Sequence, residues 1–160
     1  MISQGLRLLS SVWRRLPKRV RRWGVLLTEA RFTVTTGAVI VDEQSRVLLL
    51  QHRFRAGSGW GIPGGFMRAG EQPEAALRRE LREELGAELE NLELSFVHAL
   101  ESYQQVELIF RCRIRGEVFP QAVEVQRAAW FAMNELPAGL SAGQRALIAR
   151  ALYSSESQRG

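Results

Sequence analysis

Along this chain the apolar positions change their period several times, and each change marks an element. Leu77, Leu81 and Leu85 recur at i, i+4 and i+8, the spacing of one helix face, and predict a helix over about 73–85. Pro73 suits its first turn and Gly86 its C-terminal stop. Residues 32–41 and 47–52 are β-branched and aliphatic runs and predict two strands around a turn at 42–46, with Gly37 inside the first. Residues 53–62 read as a glycine-bearing loop. Residues 92–101 and 105–115 predict two antiparallel strands with a short connection, and 123–131 contains another. Ser141 is the expected N-cap of a final helix over 142–153, with Leu147, Ile148, Ala151 and Leu152 on its apolar side. This order of elements predicts a mixed α+β layered domain.

The first 31 residues follow a different rule. Leu9, Val12, Trp13 and Leu16 keep helical spacing, and Pro17 breaks or kinks the segment. Eight basic side chains face Glu29 alone there, a net of +7, while residues 32–160 carry fourteen basic and sixteen acidic side chains, a net of −2. The whole-chain charge of +5 is therefore N-terminal, and it is no sign of a nucleic-acid surface on the rest. Three readings of residues 1–31 stand: a helix packed on the domain or on a second copy in a homodimer, a peripheral membrane helix through residues 1–24 with tryptophans at an anionic interface, or nucleic-acid contact. Specific nucleic-acid binding is not expected. A secretory signal is not expected either, because no small-residue cleavage site ends a continuous apolar core.

The 160 residues suit one domain at 32–154 behind a basic amphipathic extension at 1–31, with a polar tail at 155–160. No apolar run reaches the roughly 18 residues of a membrane span. Cys112 is the single cysteine. It allows no internal disulfide and no zinc pattern, reads as a buried thiol in a strand, and fits a cytoplasmic compartment, with membrane-surface association as the alternative.

The chemistry gathers on the helix over 73–85. Glu80, Glu83 and Glu84 fall three and four apart, so all three point roughly one way. Glutamate-rich helix faces are commonly just solvated. What separates this one is its setting: Pro63-Gly64-Gly65 gives a permissive turn ahead of the helix, and the leucine row gives the acidic face a buried counterpart. Carboxylates held together repel, and Mg²⁺ or Mn²⁺, which take oxygen ligands, would relieve that repulsion.

Gly65, five residues, Glu71, seven residues, then Arg79-Glu80-Leu81-Arg82-Glu83-Glu84-Leu85-Gly86-Ala87 resembles the Nudix box along its whole length. Ala87 departs mildly, being smaller than the usual closing residue. Trp60-Gly61-Ile62-Pro63-Gly64-Gly65, residues 47–53, Trp130-Phe131 and Glu135-Leu136-Pro137 extend the similarity over residues 33–153. The resemblance implies a Nudix-type α/β/α sandwich around a mixed β-sheet, with the N-terminal basic helical extension outside it. It also implies Mg²⁺-dependent hydrolysis of the pyrophosphate linkage of a nucleoside diphosphate joined to another moiety, with Mn²⁺ as substitute and a nucleotide-derived small molecule as substrate. Carried over residue by residue, it implies Glu80, Glu83 and Glu84 as metal ligands with the Gly64 carbonyl beside them. Glu71 becomes a structural brace paired with Arg79.

The general base stays open between Glu83 and carboxylates outside the box, Glu124 first, then Glu107 and Glu101. His52 and Arg53 are candidates for substrate phosphate. Trp60, Phe66, His98, Tyr103 and Trp130 are candidate stacking surfaces. Tyr103 lies 16 residues past Ala87, a spacing similar to that of dinucleoside polyphosphate hydrolases, and Ser102-Tyr103 stands where ADP-ribose hydrolases often show a proline. The alternatives are a catalytically weak nucleotide-binding sensor of the same fold and a prenyl diphosphate isomerase. The isomerase needs a cysteine near the site, and Cys112 lies in a later strand.

Overall fold

The computed structural model describes residues 14–153. Leu9, Val12, Trp13 and the polar tail at 155–160 lie outside them. The chain divides into two units, residues 1–32 and 33–160. In the first, helix α1 (Lys18–Thr28) starts directly after Pro17, whose carbonyl accepts the Arg21 N–H at 3.2 Å. Pro17 thus serves as a helix start, as expected of a residue that cannot continue one.

The second unit runs β1 (Thr33–Ile40), β2 (Val47–His52), β3 (Trp60–Gly61), β4 (Gly64–Phe66), α2 (Pro73–Leu85), β5 (Glu88–Leu100), β6 (Gln105–Arg115), β7 (Val125–Phe131) and α3 (Ala142–Tyr153), with a short 3-10 turn at Glu101–Tyr103 between β5 and β6. A four-stranded sheet has the order β4-β1-β6-β5 and a three-stranded sheet the order β3-β2-β7. β1 and β6 pair parallel, and every other pair is antiparallel. Val41 and Val47 bridge the end of β1 to the start of β2.

Strand alternation divides the core in two. Ala38, Ile40, Leu48, Leu50, Phe110 and Cys112 pack with Leu77, Leu81 and Leu85 of α2. Their neighbours Val39, Val47, Leu49 and Ile109 pack with Leu147, Ile148 and Ala151 of α3. β1 and β2 are therefore buried on both faces, which is why they read as continuous apolar runs. The mixed sheet pairing with helices on both sides is the layered α+β domain expected from the element order and the sandwich that the resemblance implies. Burying each leucine of α2 is worth roughly 1.5–3 kcal/mol.

Helix α2 is bounded as its sequence predicts. Gln72 is extended at φ −81°, ψ 147°, with Pro73 in the first turn, and Gly86 is left-handed at φ 64° with its N–H on the Arg82 carbonyl. Glycine takes that conformation without penalty. In α3, Ser141 Oγ accepts the Gln144 N–H at 3.2 Å, the expected cap.

Candidate active site: a carboxylate-lined cavity beside helix α2

After Pro63, Gly64-Gly65-Phe66 becomes β4, which pairs antiparallel with β1 through Gly37↔Gly64 and Thr36↔Gly65. Gly64 is sterically required, and Gly65 makes room for the Glu80 carboxyl. Gly64 has φ +140°, and a Cβ there would lie 2.1 Å from the Thr36 carbonyl oxygen. At Gly65 a Cβ would lie 2.4 Å from the Glu80 carboxyl carbon, so Glu80 packs onto the bare backbone of the turn.

Arg79 organises the entrance. Its Nε and Nη2 donate to the two Glu71 oxygens at 2.8 and 3.0 Å, its Nη1 to Glu80 at 2.6 Å, and its Nη2 also to the Phe66 carbonyl at 3.1 Å. The Arg68 N–H donates to Glu71 at 2.9 Å. The Arg79 hydrogen bonds, helped by that N–H, hold the Glu71 carboxyl down at about 2. A bidentate guanidinium–carboxylate pair fixes both distance and orientation, so Glu71 ties the loop 66–71 to the helix.

Spacing alone put three glutamates in one direction, and the structure divides them. Successive helix residues turn by about 100°, and that turn separates Glu83 from Glu84. Glu84 has a side chain 5 % exposed, with its Oε1 3.5 Å from His52 Nε2. Glu83 has a side chain 53 % exposed and lies 3.4 Å from Arg68 and 3.6 Å from Arg79. Among the described residues no cluster of three or more His, Cys, Asp or Glu side chains is set to hold a metal ion. The donors do fit a cation in a narrower sense. Glu84 Oε2 is buried without a hydrogen-bond partner, Glu80 stands near it, and burial together with the Glu80 charge pushes the Glu84 carboxyl up to about 8. A cation is what such a pair lacks.

Next to these carboxylates is a cavity of about 320 Å³ lined by His52, Phe54, Arg55, Gly64, Gly65, Phe66, Glu80, Glu84 and Glu124. Of the candidates from the sequence, His52, Gly64, Phe66, Glu80, Glu84 and Glu124 meet here. Burial and the Arg55 charge push the His52 imidazole down to about 4, so His52 is neutral at neutral pH and its approach to Glu84 is not an ion pair. Arg53 is exposed and is not among the lining residues; its N–H donates to the Glu124 carbonyl at 2.8 Å. Tyr103 is 75 % exposed in the 3-10 turn and lines no part of this cavity. Glu101 is exposed in the same turn, while Glu107 is half-buried in an adjoining cavity.

Two lining residues were not foreseen. Phe54 is 81 % exposed at the mouth. Arg55 is exposed as a residue, yet its guanidinium lies over Gly61, where a Cβ would come 1.8 Å from Nη1. Burial there lowers its pKa, against the attraction of Glu84 and Glu107. The one signal in the sequence was a cation in a glycine-bearing loop ending at the bare backbone of Gly61.

A two-core α+β sandwich whose glycine turn delivers paired carboxylates to one cavity defines a class of fold and site, and the chain's relatives agree with it. The NUDIX domain profile matches residues 31–151. A MutT-like protein of Streptomyces ambofaciens is 33 % identical over 105 residues, covering 65 % of this chain and 66 % of that protein. The NAD-capped RNA hydrolase NudC of Pseudomonas aeruginosa (strain LESB58) is 36 % identical over 106 residues, covering 62 % of this chain and 36 % of that protein. The crystal structure of a MutT NUDIX hydrolase from Burkholderia pseudomallei superimposes with a TM-score of 0.66 at 30 % identity, covering 76 % of this chain and 98 % of that one. The chain belongs to the Nudix family. It spans under two thirds of the length of those two curated relatives.

Proposed function

We propose that the chain is a Mg²⁺-dependent hydrolase that cleaves the pyrophosphate linkage of a nucleoside diphosphate joined to another moiety. The observation that carries this reading is Glu84: a buried carboxylate with an unsatisfied oxygen, beside Glu80, facing a cavity large enough for phosphates. Glu80, Glu84 and the Gly64 carbonyl would hold the cation, and Glu83, exposed and paired with Arg68 and Arg79, would have to turn from those partners to add a further oxygen ligand. The bound cation would neutralise phosphate charge and lower the pKa of a coordinated water. Arg79 keeps Glu80 aimed at the cavity, Arg55 supplies a positive charge for a phosphate, and Phe54 and Phe66 offer apolar faces to a planar group at the mouth. Glu124, exposed at the rim, is the candidate base, because a carboxylate that does not hold the metal tightly keeps its basicity. The similarity to an NAD-capped RNA hydrolase puts dinucleotide pyrophosphates first among the substrates to screen.

The test is incubation with a panel of nucleotide pyrophosphates in Mg²⁺ and in Mn²⁺, with products separated by chromatography. Nucleoside monophosphate or phosphate release supports hydrolysis, while calorimetric binding without product supports a sensor instead.

For the N-terminal unit we propose contact with an anionic lipid surface. Val20, Trp23 and Leu27 fall at i, i+3 and i+7 and are exposed, with Lys18, Arg19 and Arg21 in the same helix. An exposed apolar stripe bearing a tryptophan, beside basic residues, suits such an interface. No helix among the described residues is long and apolar enough to cross a membrane.

A further inference from the structure

Behind the carboxylate-lined cavity is a second one, of about 190 Å³, that shares Arg55 and the Gly64–Phe66 turn with it. Its walls have a chemistry of their own. Parallel pairing of β1 with β6 sets Thr33 beside Gln105, Thr35 beside Glu107 and Gly37 beside Ile109, so these residues share one sheet face. The buried end of that face is apolar. Gly37 leaves room there for Ile62 and Ile109, whose Cδ1 atoms would lie 2.8 and 3.2 Å from a Cβ on residue 37. The other end is polar. Gln105 Nε2 donates to Thr35 Oγ1 at 2.9 Å and to Glu107 Oε1 at 3.3 Å. This chain of hydrogen bonds fixes the Glu107 carboxyl in place.

Glu107 remains under-used. Its Oε2 has His98 Nδ1 only at 3.8 Å, and each carboxylate oxygen can accept more than one hydrogen bond. Burial raises its pKa, and the charges of His98 and Arg55 oppose that. Across the cavity, Gln144 Oε1 accepts the Ile62 N–H at 2.9 Å, which leaves the Gln144 amide N–H groups for a ligand. An apolar floor edged by a fixed carboxylate is a recognition surface for a flat or ring-shaped group whose rim donates hydrogen bonds. The volume is small beside a whole nucleotide site and suits one sugar or one base.

We infer that this second cavity is a specificity subsite for the group on one side of the pyrophosphate, in which Glu107 selects a ring presenting two adjacent hydrogen-bond donors and Arg55 holds the phosphate next to it. Two chemistries carry such a donor pair: the vicinal hydroxyls of a ribose and the imino–amino edge of a guanine. A carboxylate accepts both donors of either one and rejects a partner that lacks one of them. The phosphate assignment to Arg55 rests on the hydrolase reading, whereas the ring subsite is testable without turnover.

The experiment is calorimetry on the metal-free full chain with four probes: ribose 5-phosphate, 2-deoxyribose 5-phosphate, GMP and IMP. In one of the two pairs the wild type should bind the donor-complete member at least about fivefold more tightly, since a hydrogen bond to a charged acceptor is worth more than that ratio requires. The pair that discriminates names the source of the donors. In Glu107→Gln, which keeps the shape and an acceptor for Gln105, that preference should vanish. On the wild type, the preferred probe should also shift the side-chain amide NMR signals of Gln105 and Gln144, a readout independent of whether any variant folds. Lack of measurable binding by all four probes overturns the subsite, as does equal binding within both pairs or a preference that persists in Glu107→Gln. A protein that discriminates among the probes yet hydrolyses no pyrophosphate keeps the subsite and loses the hydrolase reading.

Discussion

Arg79 grips Glu71 through two hydrogen bonds, at 2.8 and 3.0 Å, and with its remaining nitrogen binds Glu80 at 2.6 Å. One guanidinium thus joins the loop after β4 to the carboxylate that faces the cavity. Lysine offers one nitrogen and cannot reproduce the bidentate fork on Glu71 while it holds Glu80. Arg79→Lys and Glu71→Gln are each expected to lower kcat/KM about 10–100-fold, the range for losing a group that orients a ligand. Steady-state kinetics across a Mg²⁺ titration checks this, with the larger change expected in the metal dependence.

The same pair shapes acid stability. The folded-state pKa of Glu71, about 2, is depressed from the ordinary 4.5. Its contribution is therefore fully present above about 4.5 and is lost as the pH falls from there through about 2. The melting temperature of the wild type should fall across that window more steeply than that of Glu71→Gln. Thermal melts between pH 2 and 6 measure the difference in slope.

The two turn glycines are expected to fail differently when replaced by alanine. Gly64→Ala forces a Cβ against the Thr36 carbonyl at a positive φ and should cost on the order of 3 kcal/mol of stability. Gly65→Ala meets a carboxyl group that can swing aside, because the nearest atoms belong to the Glu80 side chain. That variant should fold while activity drops at least about tenfold, as expected when a catalytic carboxylate is misplaced. Urea unfolding and kinetics on the pair separate the effects.

Cys112 is buried in β6, and burial pushes its thiol up to about 12. Because the thiolate is the reactive form, iodoacetamide should leave the folded protein unmodified and label it fully in denaturant. Mass spectrometry after timed exposure reads this, and labelling under native conditions would show that the α2 face of the core opens.

For α1, removal of residues 1–24 should abolish sedimentation with phosphatidylserine vesicles and leave hydrolysis unchanged. Unchanged sedimentation would remove the lipid proposal.

The parts of this fold that are legible in sequence are those with local causes. Pro73, the leucine row and Gly86 fixed the ends of α2 because start, face and stop all fall within the helix. β3 and β4, two and three residues long, are too short to show a period. The parallel pairing of β1 with β6 joins residues about seventy positions apart, and no local pattern encodes it. At the site, motif spacing pointed Glu80, Glu83 and Glu84 one way, whereas Glu84 is buried and Glu83 exposed, because one-face reasoning is coarser than the turn between adjacent residues. Chain distance likewise made Tyr103 a candidate, whereas the turn holding it points it to solvent. Phe54 and Arg55 went unnoticed because loop residues carry no periodic signal, and only the fold shows what they face.

On the proposed reading, Glu84 belongs to a cation site that drives pyrophosphate hydrolysis. The most direct measurement is kcat/KM of wild type, Glu83→Gln and Glu84→Gln on a substrate cleaved by the wild type in Mg²⁺, each variant first shown folded by circular dichroism. We expect Glu84→Gln to lose at least about a hundredfold, in line with removal of a group that stabilises transition-state charge, and Glu83→Gln to lose at least about tenfold. Turnover of Glu84→Gln within tenfold of wild type would contradict this assignment.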